Sequence, residues 1–108
     1  MKRYVISAPA ERDLLEHALY IGQDRPSSAL AFIDSAMESF KQLGEMPEIG
    51  SPYEAISETL TGARRFRIKG FESYLIFYLP LPGAIRILRV IHAARDIEQL
   101  FNETERAH

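Results

Sequence analysis

No cysteine occurs among the 108 residues, which excludes disulfides and thiolate metal sites and suits a reducing compartment. No apolar run approaches the roughly 20 residues of a membrane span. The opening "MKRYVISAPAERD" lacks the apolar core of a secretory signal. The expected location is therefore the cytoplasm, away from membranes. There is no internal repeat and no low-complexity segment. Nor does one charge dominate: 13 Lys and Arg stand against 15 Asp and Glu, for a net charge of −2. A chain with a pI near 5.9 is not expected to coat nucleic acid or to read its sequence directly.

What is present is enough apolar material, 46% of residues, for one core, and residues 1–108 read as a single domain. A chain of this length buries roughly two-thirds of its unfolded surface. The charge is unevenly placed. Residues 1–62 carry five Lys and Arg against ten Asp and Glu, a balance of −5. Residues 63–92 carry Arg64, Arg65, Arg67, Lys69, Arg86 and Arg89 against Glu72 alone, a balance of +5. A basic centre in an acidic chain points to a local binding surface.

Periodicity gives the elements. "RYVIS" reads as a short strand, with Ser7 as an N-cap and Pro9 tolerated in the first helical turn, where its missing N–H has no partner to lose. Leu14, Leu15, Ala18 and Ile21 recur at helical spacing up to about Gly22. After the turn "QDRPSS", Pro26 opens a second helix whose stripe runs through Leu30, Phe32, Ile33, Ala36, Met37, Phe40 and Leu43. Gly44 suits its C-terminal left-handed position. The two helices form an antiparallel hairpin. Residues 45–62 are a long connection with room for a short strand or helical turn. "RRFRIK" then alternates Phe66 and Ile68 against Arg65, Arg67 and Lys69, a two-faced strand. "YLIFYLP" is apolar on both faces and therefore central. "AIRILRVIH" is the last strand, and after an immediate turn a short amphipathic helix carrying Arg95 and Asp96 closes the chain, with Ile97, Leu100 and Phe101 packing it onto the sheet. The fold class is α+β: an N-terminal strand, an antiparallel two-helix hairpin, a three-stranded antiparallel meander and a short C-terminal helix.

Taken in order, "YVISAPAERDLLEHALYI", "MPEIGSP", "GARRF", "YLIFYLP" and "LRVIHAARDIEQL" resemble the RelE/ParE superfamily of toxins from bacterial toxin–antitoxin pairs. The last of these stretches, with His92, Arg95 and Asp96, looks like the ParE branch. The resemblance covers nearly the whole chain.

The superfamily divides by mechanism. RelE-like members are ribosome-dependent mRNA endoribonucleases, a chemistry that needs a proton acceptor for the 2′-hydroxyl, cations for the phosphate and an acid for the leaving oxygen. By resemblance, Arg65 and Arg67 stand where RelE has lysines. Arginine holds a phosphate but is a poor proton shuttle. Leu75 stands for an arginine and Phe101 for a tyrosine, while Arg95 is retained. With two parts missing, the nuclease reading is disfavoured. Some RelE relatives place a histidine near the end of this strand, so His92 leaves an acid–base role open. The plainer reading is that His92 ends a strand and holds the turn, with Asp96 near the helix N-terminus. His17 and His108 read as exposed.

ParE-like toxins are non-enzymatic poisons of DNA gyrase, each neutralised by a cognate ParD-like antitoxin in a toxin–antitoxin hetero-oligomer. The resemblance therefore implies those partners, no catalytic residue, no cofactor and no metal. An apolar groove along the helical hairpin suits an amphipathic helix, and the basic strand suits acidic side chains. Arg65, Arg67, Lys69, Arg89, His92 and Arg95 are the candidate target- or antitoxin-binding residues, with Arg89 and Arg95 expected to be available to a partner. Arg65, Arg67 and Lys69 read equally well as the solvated face of an edge strand. A ribosome-dependent nuclease and an inert relative remain as alternatives.

Overall fold

The computed structural model describes residues 3–53 and 62–96. Strand β1 (Tyr4–Ile6) leads into helices α1 (Ala8–Asp24) and α2 (Pro26–Glu45). Strands β2 (Ser51–Pro52), β3 (Arg64–Ile68), β4 (Phe71–Leu81) and β5 (Ala84–His92) follow. They form one sheet in the order β1-β5-β4-β3-β2, in which β1 runs parallel to β5 and the other pairs are antiparallel. The α+β expectation holds, with the meander at the centre and the helical hairpin against one face. Residues 93–96 are helical, where the closing helix was expected to start. Ile97, Leu100 and Phe101, on which that helix was expected to pack, lie outside the described residues.

Local chemistry sets the helix ends. Ser7 is extended and its hydroxyl accepts the Ala10 N–H at 3.2 Å, while donating to the Leu88 carbonyl at 3.0 Å. One side chain thus caps α1 and ties it to β5. Helix α1 runs past Gly22 to Asp24 and stops because Arg25 precedes a proline, which keeps it extended. Gly44 is not a left-handed terminator as expected. It lies within α2, and a Cβ there would meet the Arg3 backbone at 3.1–3.2 Å, so glycine serves the close approach of the N-terminal segment.

The core lies between hairpin and sheet. Leu14, Phe32, Phe40 and Leu43 pack on Ile68, Ile76, Tyr78, Ile87 and Val90. Two leucines assigned to the apolar stripes face solvent instead: Leu15 is 61% exposed and Leu30 71%. Leu15 sits about 100° around the helix from buried Leu14, and Leu30 about 200° from buried Phe32. Central β4 is buried on both faces, and its far side carries a second cluster of Leu75 and Phe77 with Ile91, Tyr53 and Ala63. Strand β3 ends at Ile68, so Lys69 falls in a turn with Gly70 and not on the strand face with Arg65 and Arg67.

Candidate functional site

Directly opposed residues of an antiparallel pair project on the same face. Arg65 is opposite Phe77 and Arg67 opposite Leu75, so both arginines stand on the sheet face turned away from the helices. Both are exposed. Arg67 donates to the Glu72 carbonyl at 2.6 Å, and among the described residues neither arginine has a carboxylate partner. With Ile49, Ser51, Phe66 and Leu75 they line a half-open cavity of about 340 Å³. Two fixed cations border it, and none of its lining groups is a general acid or base.

Arg89, His92 and Arg95 lie elsewhere, beside α1. Past Ile87 the strand β5 has no β1 alongside it, and side chains take over the ladder. Asp13 accepts the Val90 N–H at 3.0 Å, and His17, one turn further on, bonds the Val90 carbonyl through Nε2 at 2.8 Å. The carbonyl can only accept, so His17 carries a proton on Nε2. His17 is therefore buried, against the expectation of exposure, because its ring fills the space between Phe32 and Tyr74 while serving an edge carbonyl. Arg89 is likewise not available as expected. Its guanidinium grips Asp13 through two bonds of 2.8 and 3.1 Å, a bidentate pair that also orients the carboxylate toward Val90.

His92 ends β5 and its own N–H is taken by the Asp96 carboxylate at 2.9 Å, a side-chain cap on the helix that follows. The turn is thus held by the backbone of His92 and the side chain of Asp96. The imidazole stands edge-on to Tyr74, 5.0 Å between centroids, with Nδ1 buried and without a hydrogen-bond partner among the described residues. Burial, with Arg95 adding to it, lowers the His92 pKa from the ordinary histidine value. Burial also raises the Tyr74 hydroxyl, although Arg95 beside it works in the opposite direction. Arg95 is exposed and lies 4.7 Å over the Tyr20 ring.

A third cluster, unforeseen, seats the loop before β2. The buried Tyr78 hydroxyl accepts the Gly50 N–H at 3.0 Å and donates to the Pro47 carbonyl at 2.6 Å. Arg64 donates to the Gly50 and Glu48 carbonyls at 2.6 and 3.2 Å. A Cβ at Gly50 would collide with the Tyr78 hydroxyl and with the Arg65 carbonyl, so this position excludes any side chain. Burial raises the Tyr78 pKa.

The candidate residues thus fall into two groups: Arg65 and Arg67 on the outer face, and Arg89, His92 and Arg95 at the end of β5 beside α1, where Arg89, opposite Phe77 in the register, reaches Asp13. Lys69 lies in the turn between β3 and β4. Leu15 and Leu19, one turn apart on α1, are 61% and 63% exposed, and Leu30 on α2 is exposed as well. No group of three or more potential metal-binding side chains occurs among the described residues, and no described helix is long and apolar enough to cross a membrane.

The family described as ParE toxin of type II toxin-antitoxin system, parDE, matches residues 4–97. Among curated proteins, none matches significantly. Solved structures with this fold include a chain of the chromosomal ParDE TA system from P. aeruginosa, at a TM-score of 0.68 and 21% identity. That likeness covers 85% of this chain and 96% of the other.

Proposed function

The chain belongs to the ParE toxin family of type II toxin–antitoxin systems, and from that premise we propose that it poisons DNA gyrase without being an enzyme and is silenced by a cognate ParD-like antitoxin. On this reading it stabilises the gyrase–DNA cleavage complex in the cytoplasm and needs no cofactor.

The observation that carries the non-enzymatic reading is the position of the His92 imidazole relative to Arg65 and Arg67. Strand cleavage at a 2′-hydroxyl needs cations and a proton-transfer group around one phosphate. Arg65 and Arg67 supply cations on the outer face, where the neighbouring position is Leu75. The nearest described imidazole in sequence order, His92, is directed to the other face against Tyr74, with Nδ1 buried. A phosphate held by the arginines is out of its reach. For the antitoxin, the exposed Leu15, Leu19 and Leu30 favour an amphipathic helix along the hairpin.

Purified gyrase incubated with the toxin, ATP and supercoiled DNA should accumulate linear DNA after detergent and protease treatment. Induction in cells should leave mRNA 5′ ends unchanged. Codon-specific cuts on translating ribosomes, with no linear DNA from gyrase, would assign the chain to the ribonuclease mechanism. Neither effect, with the antitoxin still bound, would make it an inert relative.

A further inference from the structure

We propose that the cavity between β3 and the loop before β2 binds the C-terminal carboxylate of a polypeptide whose last residue is apolar. The site is drawn from the residues that line this one place, and it stands independently of the toxin reading.

Three observations select this ligand. The first is the shared face. Ser51 is opposite Arg65 and Leu75 opposite Arg67, so all four belong to the sheet face turned away from the helices. Arg65 and Arg67 are two residues apart, which places their Cα atoms roughly 7 Å from each other. Both guanidinium groups therefore reach one group seated between them. Phe66, whose side chain packs on the helix side, borders the cavity as the residue between the two arginines.

The second is unpartnered charge. The Arg65 guanidinium has no hydrogen bond or ion pair among the described residues. Arg67 uses one N–H on the Glu72 carbonyl at 2.6 Å, leaving the rest of its fork. The Glu72 carboxylate accepts the Gly70 N–H at 2.5 Å and pairs with neither arginine. Two cations and the Ser51 hydroxyl around one space call for an anion with two acceptor oxygens.

The third is size and lining. A volume of about 340 Å³ lies at the small end of ligand pockets and takes one residue, not a chain segment. Buried Leu75 and half-exposed Ile49 supply its apolar part. A carboxylate with an apolar side chain on the adjacent carbon fills both halves at once, and a peptide terminus is that group. An internal Asp or Glu lacks the apolar branch, and its chain has to leave on two sides, one of which is closed where Ser51 pairs with Arg65. A phosphodiester satisfies the arginines but leaves Ile49 and Leu75 unfilled. The cavity is half-open, so the residues before the terminus pass out through its mouth and add contacts that a free small acid lacks.

The test titrates the ¹⁵N-labelled full chain with acetyl-Gly-Ser-Gly-Leu as the free acid and as its C-terminal amide. The acid should give saturable shifts at the amides of Ile49, Ser51, Arg67 and Leu75, and the amide should bind about tenfold more weakly or worse. Acetyl-Gly-Ser-Gly-Gly acid, without the apolar branch, should lose a similar factor. Arg65→Gln combined with Arg67→Gln should remove the preference for acid over amide while the rest of the spectrum stays in place. Equal binding of acid and amide, shifts centred elsewhere, or a preference that survives in the double variant would overturn the proposal. So would equal or tighter binding, at the same amides, of acetyl-leucine, of the amide of acetyl-Gly-Glu-Leu-Gly, or of a short single-stranded oligonucleotide. These outcomes assign the site to a free acid, an internal acidic residue or a nucleic acid. The peptide comparisons are made on the parent chain, so they decide the matter even where the double variant fails to fold. Gyrase poisoning is read in its own assay, and either reading can fail alone.

Discussion

Asp13 is the side chain whose removal should cost this fold most per atom deleted. Its carboxylate meets two different needs: it neutralises Arg89 and it accepts the Val90 N–H where the sheet has run out of strands. Asp13→Ala withdraws both. A buried N–H without an acceptor costs about 1–3 kcal/mol. The ion pair is worth less than a fully buried one, because 26% of the Arg89 side chain reaches solvent and water replaces part of the lost interaction. Adding about 1 kcal/mol for it gives a total of about 2–4 kcal/mol. Against the roughly 5–15 kcal/mol expected of a domain this size, that is a large fraction, equivalent to about 10–15 °C in Tm.

The two contributions separate by variant. Asp13→Asn keeps an oxygen for Val90 but loses the charge, and should cost about half as much as Asp13→Ala. Arg89→Met removes the cation yet leaves the carboxylate on Val90, and should cost about 1 kcal/mol. Urea unfolding followed by far-UV circular dichroism gives each value, and the double variant closes the cycle with a coupling that reports the ion pair alone. A loss below about 0.5 kcal/mol for Asp13→Ala would mean that the end of β5 does not depend on α1 for its hydrogen bonds. Equal losses for Asn and Ala would refute the role given to the Val90 N–H.

Gly50→Ala should destabilise by about 1–3 kcal/mol through collision with the Tyr78 hydroxyl and the Arg65 carbonyl, and Tyr78→Phe by a similar amount, both read by urea unfolding. If Gly50→Ala is neutral, the loop is not seated as described. Because burial lowers the His92 pKa, the unfolded chain takes up a proton below about pH 6.5 that the folded chain resists. Stability should then fall as pH falls, by at most about 1.4 kcal/mol per pH unit from this group, and His92→Gln should flatten the curve in that window. A steeper curve in the variant would reverse the assignment.

Much of this architecture is legible in the residues, and the misses have identifiable causes. Strand β5 follows from the alternation in "AIRILRVIH", and the break between helices from Pro26. Gly44 misled because a glycine near a helix end has two uses, and the approach of Arg3 comes from a segment far away in sequence. Lys69 continued an alternating pattern, but Gly70, with φ of +83°, turns the chain just beyond it. His17 carried a signal that could have been read. Ala10, Asp13, Leu14, His17 and Ile21 share one helical stripe, and two polar residues one turn apart on an apolar stripe indicate a buried polar pair. Their partner, the unpaired stretch of β5, exists only once the sheet order is known.

The same geometry explains what kinship can and cannot convey here. "MPEIGSP", "GARRF" and "YLIFYLP" meet where Tyr78 and Arg64 bind the Pro47, Glu48 and Gly50 backbone. "YVISAPAERDLLEHALYI" and "LRVIHAARDIEQL" meet where Ser7, Asp13 and His17 bind Leu88 and Val90. The stretches that carry the resemblance are those in which a side chain satisfies a distant backbone group, and changing such a residue leaves a polar group buried without a partner. Arg65 and Arg67, by contrast, stand in solvent and contribute little to stability. Their identity is therefore not dictated by the fold. Tyr78, Asp13 and Ser7 thus hold the scaffold together, while the exposed arginines of β3 and the leucines of the hairpin carry no such burden.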